Sequence, residues 1–225
     1  MILDECMRSS SQSSSDPNDD GSSPSLLPLV QLRVIQVDLP EIQEINTEAI
    51  AKEKALLGAQ LAGGPCVVED TSLQFTALGG MPGPYIKWFQ DRLGNQGLYN
   101  ILTAYHDKSA QAVCTLAFCP YPHADPVVFT GITHGTIVPP VPGRGFGWDA
   151  IFVPMTTTPP TTTTTTTAAA ETPTTSSNSH DTTTTTTSMA PRPYSLMTTE
   201  EKNRTSHRGK AVRQWATWLQ RNQQE

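Results

Sequence analysis

The sequence predicts an α/β fold, and three observations carry that expectation. A run of helix formers, TEAIAKEKALLGAQLA (47–62), stops at Gly63-Gly64 and is followed at once by the short apolar run PCVVED (65–70). Two further apolar runs, QAVCTLAFC (111–119) and PVVFTGITHGTIV (126–138), read as strands. The chain then closes on SHRGKAVRQWATWLQRN, where Val212, Trp215, Ala216 and Leu219 recur at the spacing of one helix face.

Taken in order, LVQLRVIQVDLP (29–40) alternates apolar and polar residues up to Pro40 and predicts a half-buried strand, with Glu41 just past its end. For the helix over 47–62, Asn46 or Thr47 is the N-cap. The strand at 65–70 is expected to end in its two acids, and helix followed by strand suggests a parallel pairing. Glycine and proline crowd ALGGMPGPYIKWF (77–89), which is expected to be irregular until Tyr85. YIKWFQDRLG and NQGLYNILTAY then suit two short helices, and DAIFVP (149–154) a last strand.

The 225 residues are 36% hydrophobic and 16% charged, fractions lowered by Ser- and Thr-rich stretches. Residues 1–30 offer almost nothing to bury and read as a disordered tail, and the nearly pure threonine stretch 156–188 as a long inserted loop. Residues 31–155 and 189–225 are then expected to form one discontinuous domain. A net charge of −6 argues against a broad basic surface for a nucleic acid polymer. No apolar run approaches the roughly 18 residues of a membrane span, and the first residues are acids and serines rather than a signal peptide. A soluble protein of the cytoplasm is expected, with the nucleus open to it. A mucin-like surface stalk would need a secretion signal. The four cysteines have no repeated CxxC spacing and are expected to be reduced; Cys114, Cys119 and His123 lack a fourth partner at zinc-ligand spacing.

Glu69-Asp70-Thr71 is the first candidate for chemistry, because ligands of open α/β sheets gather outside the carboxyl ends of strands. With Glu41 these acids could form an oxygen-rich site for Mg²⁺, which takes one or two carboxylates and leaves the rest to water and phosphate. A solvated strand end is the alternative. Phe146-Gly147-Trp148-Asp149 could stack on a base and accept hydrogen bonds from its edge, or could be a core aromatic cluster. GRGFGWD (143–149) fails the G-x-G-x-x-G pattern at Trp148, and no Walker P-loop is present. Lys202, Ser206, His207 and Arg208 lie at the start of the last helix, where positive groups and free N–H donors favour anions, or simply form a solvated cap.

Together, VEDTSLQFTALGGMPGPYIKWF, FGWDAIFVP and EEKNRTSHR, in this order, resemble the inosine triphosphate pyrophosphatase (Ham1-like) family of eukaryotic type. The resemblance covers about 36–154 and 191–219. It implies a two-lobed, mixed-sheet α/β fold with a central cleft, a homodimer, and Mg²⁺ or Mn²⁺ as cofactor. It implies hydrolysis of ITP, dITP or XTP to the monophosphate and pyrophosphate. On this likeness Glu41 and Asp70 hold the metal; Glu69, Asp70 and Lys54 are catalytic; and Lys54, Asp70, Thr71 and Lys87 meet the phosphate side of the substrate. Phe146, Gly147, Trp148 and Asp149 form the base platform, which Lys202, His207 and Arg208 close. Family members begin with a strand leading into a [ST]-G-N-x-x-K loop, and residues 1–30 do not supply one. The first strand and helix are therefore expected to be missing, which makes a truncated or inactive member that at most binds nucleotide the alternative.

Overall fold

The computed structural model describes residues 32–142, 145–155 and 191–222. The expected tail at 1–30 and the expected loop at 156–188 lie outside the described residues. Helix α1 spans Thr47–Ala62. Asn46 caps it: the Oδ1 atom accepts from the Glu48 and Ala49 backbone N–H groups at 2.9 and 3.4 Å. The helix ends at Gly63, in the left-handed conformation with φ 65°. The face it buries carries Ile50, Ala51, Ala55 and Ala59.

Strand β1 spans Cys66–Phe75, five residues beyond the expected end at Asp70. Glu69 and Asp70 therefore lie in mid-strand, a correction to the strand-end placement. The cause is the alternation that continues past the acids: Leu73 and Phe75 are fully buried and keep the ladder running. The other strands are β2 (Pro82–Gly83), β3 (Ser109–Cys119), β4 (Val127–Ile137) and β5 (Phe152–Pro154). They form a five-stranded sheet in the order β2-β1-β3-β4-β5.

Every pairing in this sheet is antiparallel, so the expected parallel pairing is corrected as well. That expectation needed a strand before α1 to complete a crossover unit, and residues 32–40 form no ladder. Val34, Ile35 and Val37 of this segment are 76%, 53% and 47% exposed. Alternation specifies a face, but a strand also needs a free edge beside it.

Helix α2 spans Ile86–Ile101 and is broken at Gly94 (φ 62°, ψ −180°), which recovers the two short helices expected from sequence. Helix α3 spans Thr199–Thr205 and carries a capping box between Thr198 and Glu201. Helix α4 spans His207–Asn222 and buries Val212 and Trp215 on its inner face.

Side chains alternate across β1. Cys66 and Val68 join a small-residue core under α1 with Ala55, Ala59 and Ala117. Val67 points the other way, into an aromatic core with Phe118, Phe129 and Trp215 under α4. A third core, around Leu73, Leu98, Trp148, Phe152 and Tyr194, makes the second lobe.

Candidate active site

The alternation of β1 sends its acids to opposite faces. Asp70 follows Val68 toward α1, where the Lys54 Nζ lies 3.4 Å from the Asp70 Oδ1 and 3.0 Å from the Glu41 Oε1. Burial raises the Asp70 carboxyl above its ordinary range, with the Lys54 ammonium pulling the other way. The Asp70 Oδ2 is buried and has no hydrogen-bond partner among the described residues. Such an atom is costly unless a cation or donor reaches it.

Glu69 follows Val67 toward α4 and receives the Arg208 guanidinium. The Arg208 Nε donates to both carboxylate oxygens, at 2.9 and 2.8 Å, and Nη2 donates to Oε1 at 2.5 Å. The Thr71 hydroxyl adds a hydrogen bond to Oε1 at 3.0 Å. A guanidinium held by two oxygens has a fixed plane as well as a fixed position. Ser206 stands immediately before α4, its Oγ accepting from the Gly209 N–H at 3.0 Å. Beneath it, a Cβ on Gly131 of β4 would come within 2.0 Å of the His207 carbonyl oxygen. Only glycine lets the helix start rest so close to the strand.

His207 stacks on Trp148, with ring centroids 5.3 Å apart and planes 28° from parallel. Burial first, then the cations Arg208, Lys202 and Lys210, push the His207 imidazole down to about 3, so the ring is neutral near pH 7. Its Nδ1 is buried without a partner among the described residues. Trp148 is only 7% exposed and also meets Phe152 edge-on, whereas Phe146 is 75% exposed. Between them Gly147 has φ 63°, a turn conformation that a side chain would strain. Asp149, 4% exposed, accepts at Oδ2 from the Phe146 N–H (2.8 Å) and the Lys202 ammonium (2.5 Å). Lys87 projects from the first turn of α2, its ammonium 4.8 Å above the Trp88 ring centroid.

All of these groups line one cleft of about 1250 Å³: Glu41, Lys54, Glu69, Asp70, Thr71, Lys87, Phe146 to Asp149, Lys202, His207 and Arg208. Tyr194, Ser206, Gln90 and Asp91 share the lining. Gln90 and Asp91 were not singled out in the sequence, although they stand three and four residues after Lys87, the spacing of one helix face. Among the described residues no group of three His, Cys, Asp or Glu side chains is placed to hold a metal by itself. Glu41 and Asp70 do fit an ion that takes most of its oxygens from water and phosphate, and the unpartnered Asp70 Oδ2 is the atom such an ion would meet.

An antiparallel sheet with helices on both faces, two lobes and a cleft of carboxylates, cations and aromatic rings defines an α/β protein with a site suited to an anionic, ring-bearing ligand. Residues 21–184 match the Ham1 family profile. An inosine triphosphate pyrophosphatase of Pyricularia oryzae is 38% identical over 194 residues, covering 86% of this chain and 84% of that protein. One of Tuber melanosporum is 54% identical over 123 residues, covering 55% of this chain and 66% of its own length. Among solved structures, the Ham1 protein of Staphylococcus aureus superposes with a TM-score of 0.60 at 22% identity, covering 83% of this chain and 82% of that one. A nucleoside-triphosphatase (dITP/XTP pyrophosphatase) of Mycobacterium abscessus gives 0.55 at 25% identity, covering 81% and 80%. The chain belongs to the Ham1 family.

Proposed function

We propose that the chain is a nucleoside triphosphate pyrophosphatase that hydrolyses non-canonical purine nucleotides (ITP, dITP, XTP) to the monophosphate and pyrophosphate. The observation that carries this reading is the segregation of one cleft into a carboxylate–lysine side (Glu41, Lys54, Asp70) and an aromatic side (Phe146, Trp148, His207). The names of the fungal relatives support it.

In this mechanism Glu41 and Asp70 would hold Mg²⁺, or Mn²⁺ in its place. Bound there, the ion supplies polarisation of phosphate oxygens and neutralises their charge. Lys54 and Lys87 add positive charge toward the triphosphate as negative charge moves onto the leaving pyrophosphate. A water molecule attacks the α-phosphorus, and its proton passes to a carboxylate on the Glu41–Asp70 side. Glu69, whose two oxygens both accept from the Arg208 Nε, fixes the guanidinium in this reading and stands beside Asp70 on the same strand.

On the aromatic side the exposed Phe146 ring offers a face for the purine, and Arg208 with the neutral His207 reads the edge. Donors aimed at a 6-oxo group are left unpaired against the 6-amino group of adenine, which disfavours ATP. The family likeness further supports a homodimer in the cytoplasm or nucleus. No described helix is long and apolar enough to cross a membrane.

Pyrophosphate release from ITP and ATP, measured with and without Mg²⁺, tests the reading. ITP should be preferred, EDTA should abolish turnover, and Asp70→Asn should lower kcat by about 10²-fold or more, the scale for one key electrostatic element. Full activity in EDTA, or in Asp70→Asn, would overturn it.

A further inference from the structure

The loop from Phe146 to Asp149 is tied to α2 by a side-chain bridge that the mechanism above does not use. The Asn95 Nδ2 donates to the Gly147 carbonyl oxygen at 3.1 Å, and the Gln90 Nε2 donates to the Asn95 Oδ1 at 3.2 Å. Two backbone features make the bridge work. The break at Gly94 turns the chain so that the second half of α2 starts at Asn95, beside the loop. Gly147, with φ 63°, exposes its carbonyl, and the space where a Cβ would stand is bordered by the Gln90 amide at 3.4 Å. Gln90 lies one turn after Lys87 and lines the cleft with it.

We propose that Asn95, braced by Gln90, is a positioning residue for the base platform. It holds the Gly147 peptide, and with it the Phe146 ring and the Asp149 carboxylate, in register with the helix that carries Lys87. The two ends of the substrate are thereby kept at a fixed separation. Neither Asn95 nor Gln90 needs to touch the reacting atoms. The proposal rests on the reading of Phe146–Asp149 as the base platform.

The test compares wild type with Asn95→Ala and with Asn95→Asp, which keeps the shape but replaces the amide donor by a carboxylate facing a carbonyl. Two readouts are taken: steady-state pyrophosphate release from ITP, and amide hydrogen exchange of peptides covering 145–150. Both variants should raise KM for ITP about three- to tenfold with kcat changed less than about twofold, as expected from losing one hydrogen bond that orients a binding loop. Exchange should rise in 145–150 while β3 and α4 remain as protected as in wild type. Asn95→Gln, which keeps the donor on a longer arm, should recover part of the KM. Unchanged KM together with unchanged loop exchange would overturn the proposal, as would exchange rising equally through the whole fold. A wild-type chain that releases no pyrophosphate from ITP would instead sink the functional reading, and the exchange comparison would still decide the bridge.

Discussion

His207 shows how surroundings set the chemistry of a single side chain. Arg208, Lys202 and Lys210 surround a ring already stripped of water, so the folded protein takes up this proton only near pH 3, whereas an unfolded histidine takes it near 6.5. Between those values the unfolded state binds more protons, so stability is complete above about 6.5 and falls as the pH drops toward 3. The slope from this one group is at most about 1.4 kcal/mol per pH unit. The melting temperature measured from pH 7 to 4 should fall, and His207→Gln, which does not titrate, should flatten that fall. A wild-type profile no steeper than that of the variant would exclude a buried neutral ring. At the neighbouring position, Arg208→Ala should reduce kcat/KM for ITP more than for ATP, because stacking is indifferent to the exocyclic group and edge recognition is not. Equal losses for the two nucleotides would remove Arg208 from base reading. The residue types in SHRGK were legible from sequence, but the Glu69 that orients Arg208 was not legible as its partner, since 139 residues separate them and only the fold closes that distance.

Elements were legible where local chemistry decides and illegible where pairing does. Asn46 and Gly63 bound α1 as capping rules require, and Gly94 divides α2 where two helices were expected. The alternation in 32–40 looked as strand-like as that of β4, yet only β4 found an edge, because pattern alone does not report which neighbour is available. The same reasoning explains β1, whose length was set by its ladder with β3 rather than by the polar residues at its centre. Contact between elements also gives a sharp expectation at Gly131. A methyl group there would meet the His207 carbonyl oxygen, the Ala211 nitrogen and the Lys210 Cβ, so Gly131→Ala must lift the start of α4 off β4. A loss of about 1–3 kcal/mol in urea unfolding is expected, as for other overpacked positions. Because His207 and Arg208 ride on that end of α4, KM for ITP should rise as well. Wild-type stability in this variant would mean that the helix start has room to move.

For the whole molecule, the threonine-rich stretch between β5 and α3 gives the clearest expectation from composition. It has few groups to bury, and loop-closure cost grows by only about 0.6 kcal/mol per doubling of length. Replacing 156–188 with a short Gly/Ser turn should leave the melting temperature unchanged or slightly higher, and a large fall would show that the stretch packs on the domain. The flanks favour such a graft: Met155 is 66% exposed, while Tyr194 on the far side is buried in the second-lobe core. The alternation of β1 has a consequence on the same scale for how this molecule can vary. Substitutions along the strand act one position at a time, but deleting one residue between Cys66 and Glu69 would exchange the faces of everything upstream or downstream of the cut. Asp70 would turn toward Arg208, Glu69 toward Lys54, and the two carboxylates would trade partners without any change in their own identity. The site should therefore accept many replacements in this stretch and almost no change in its length.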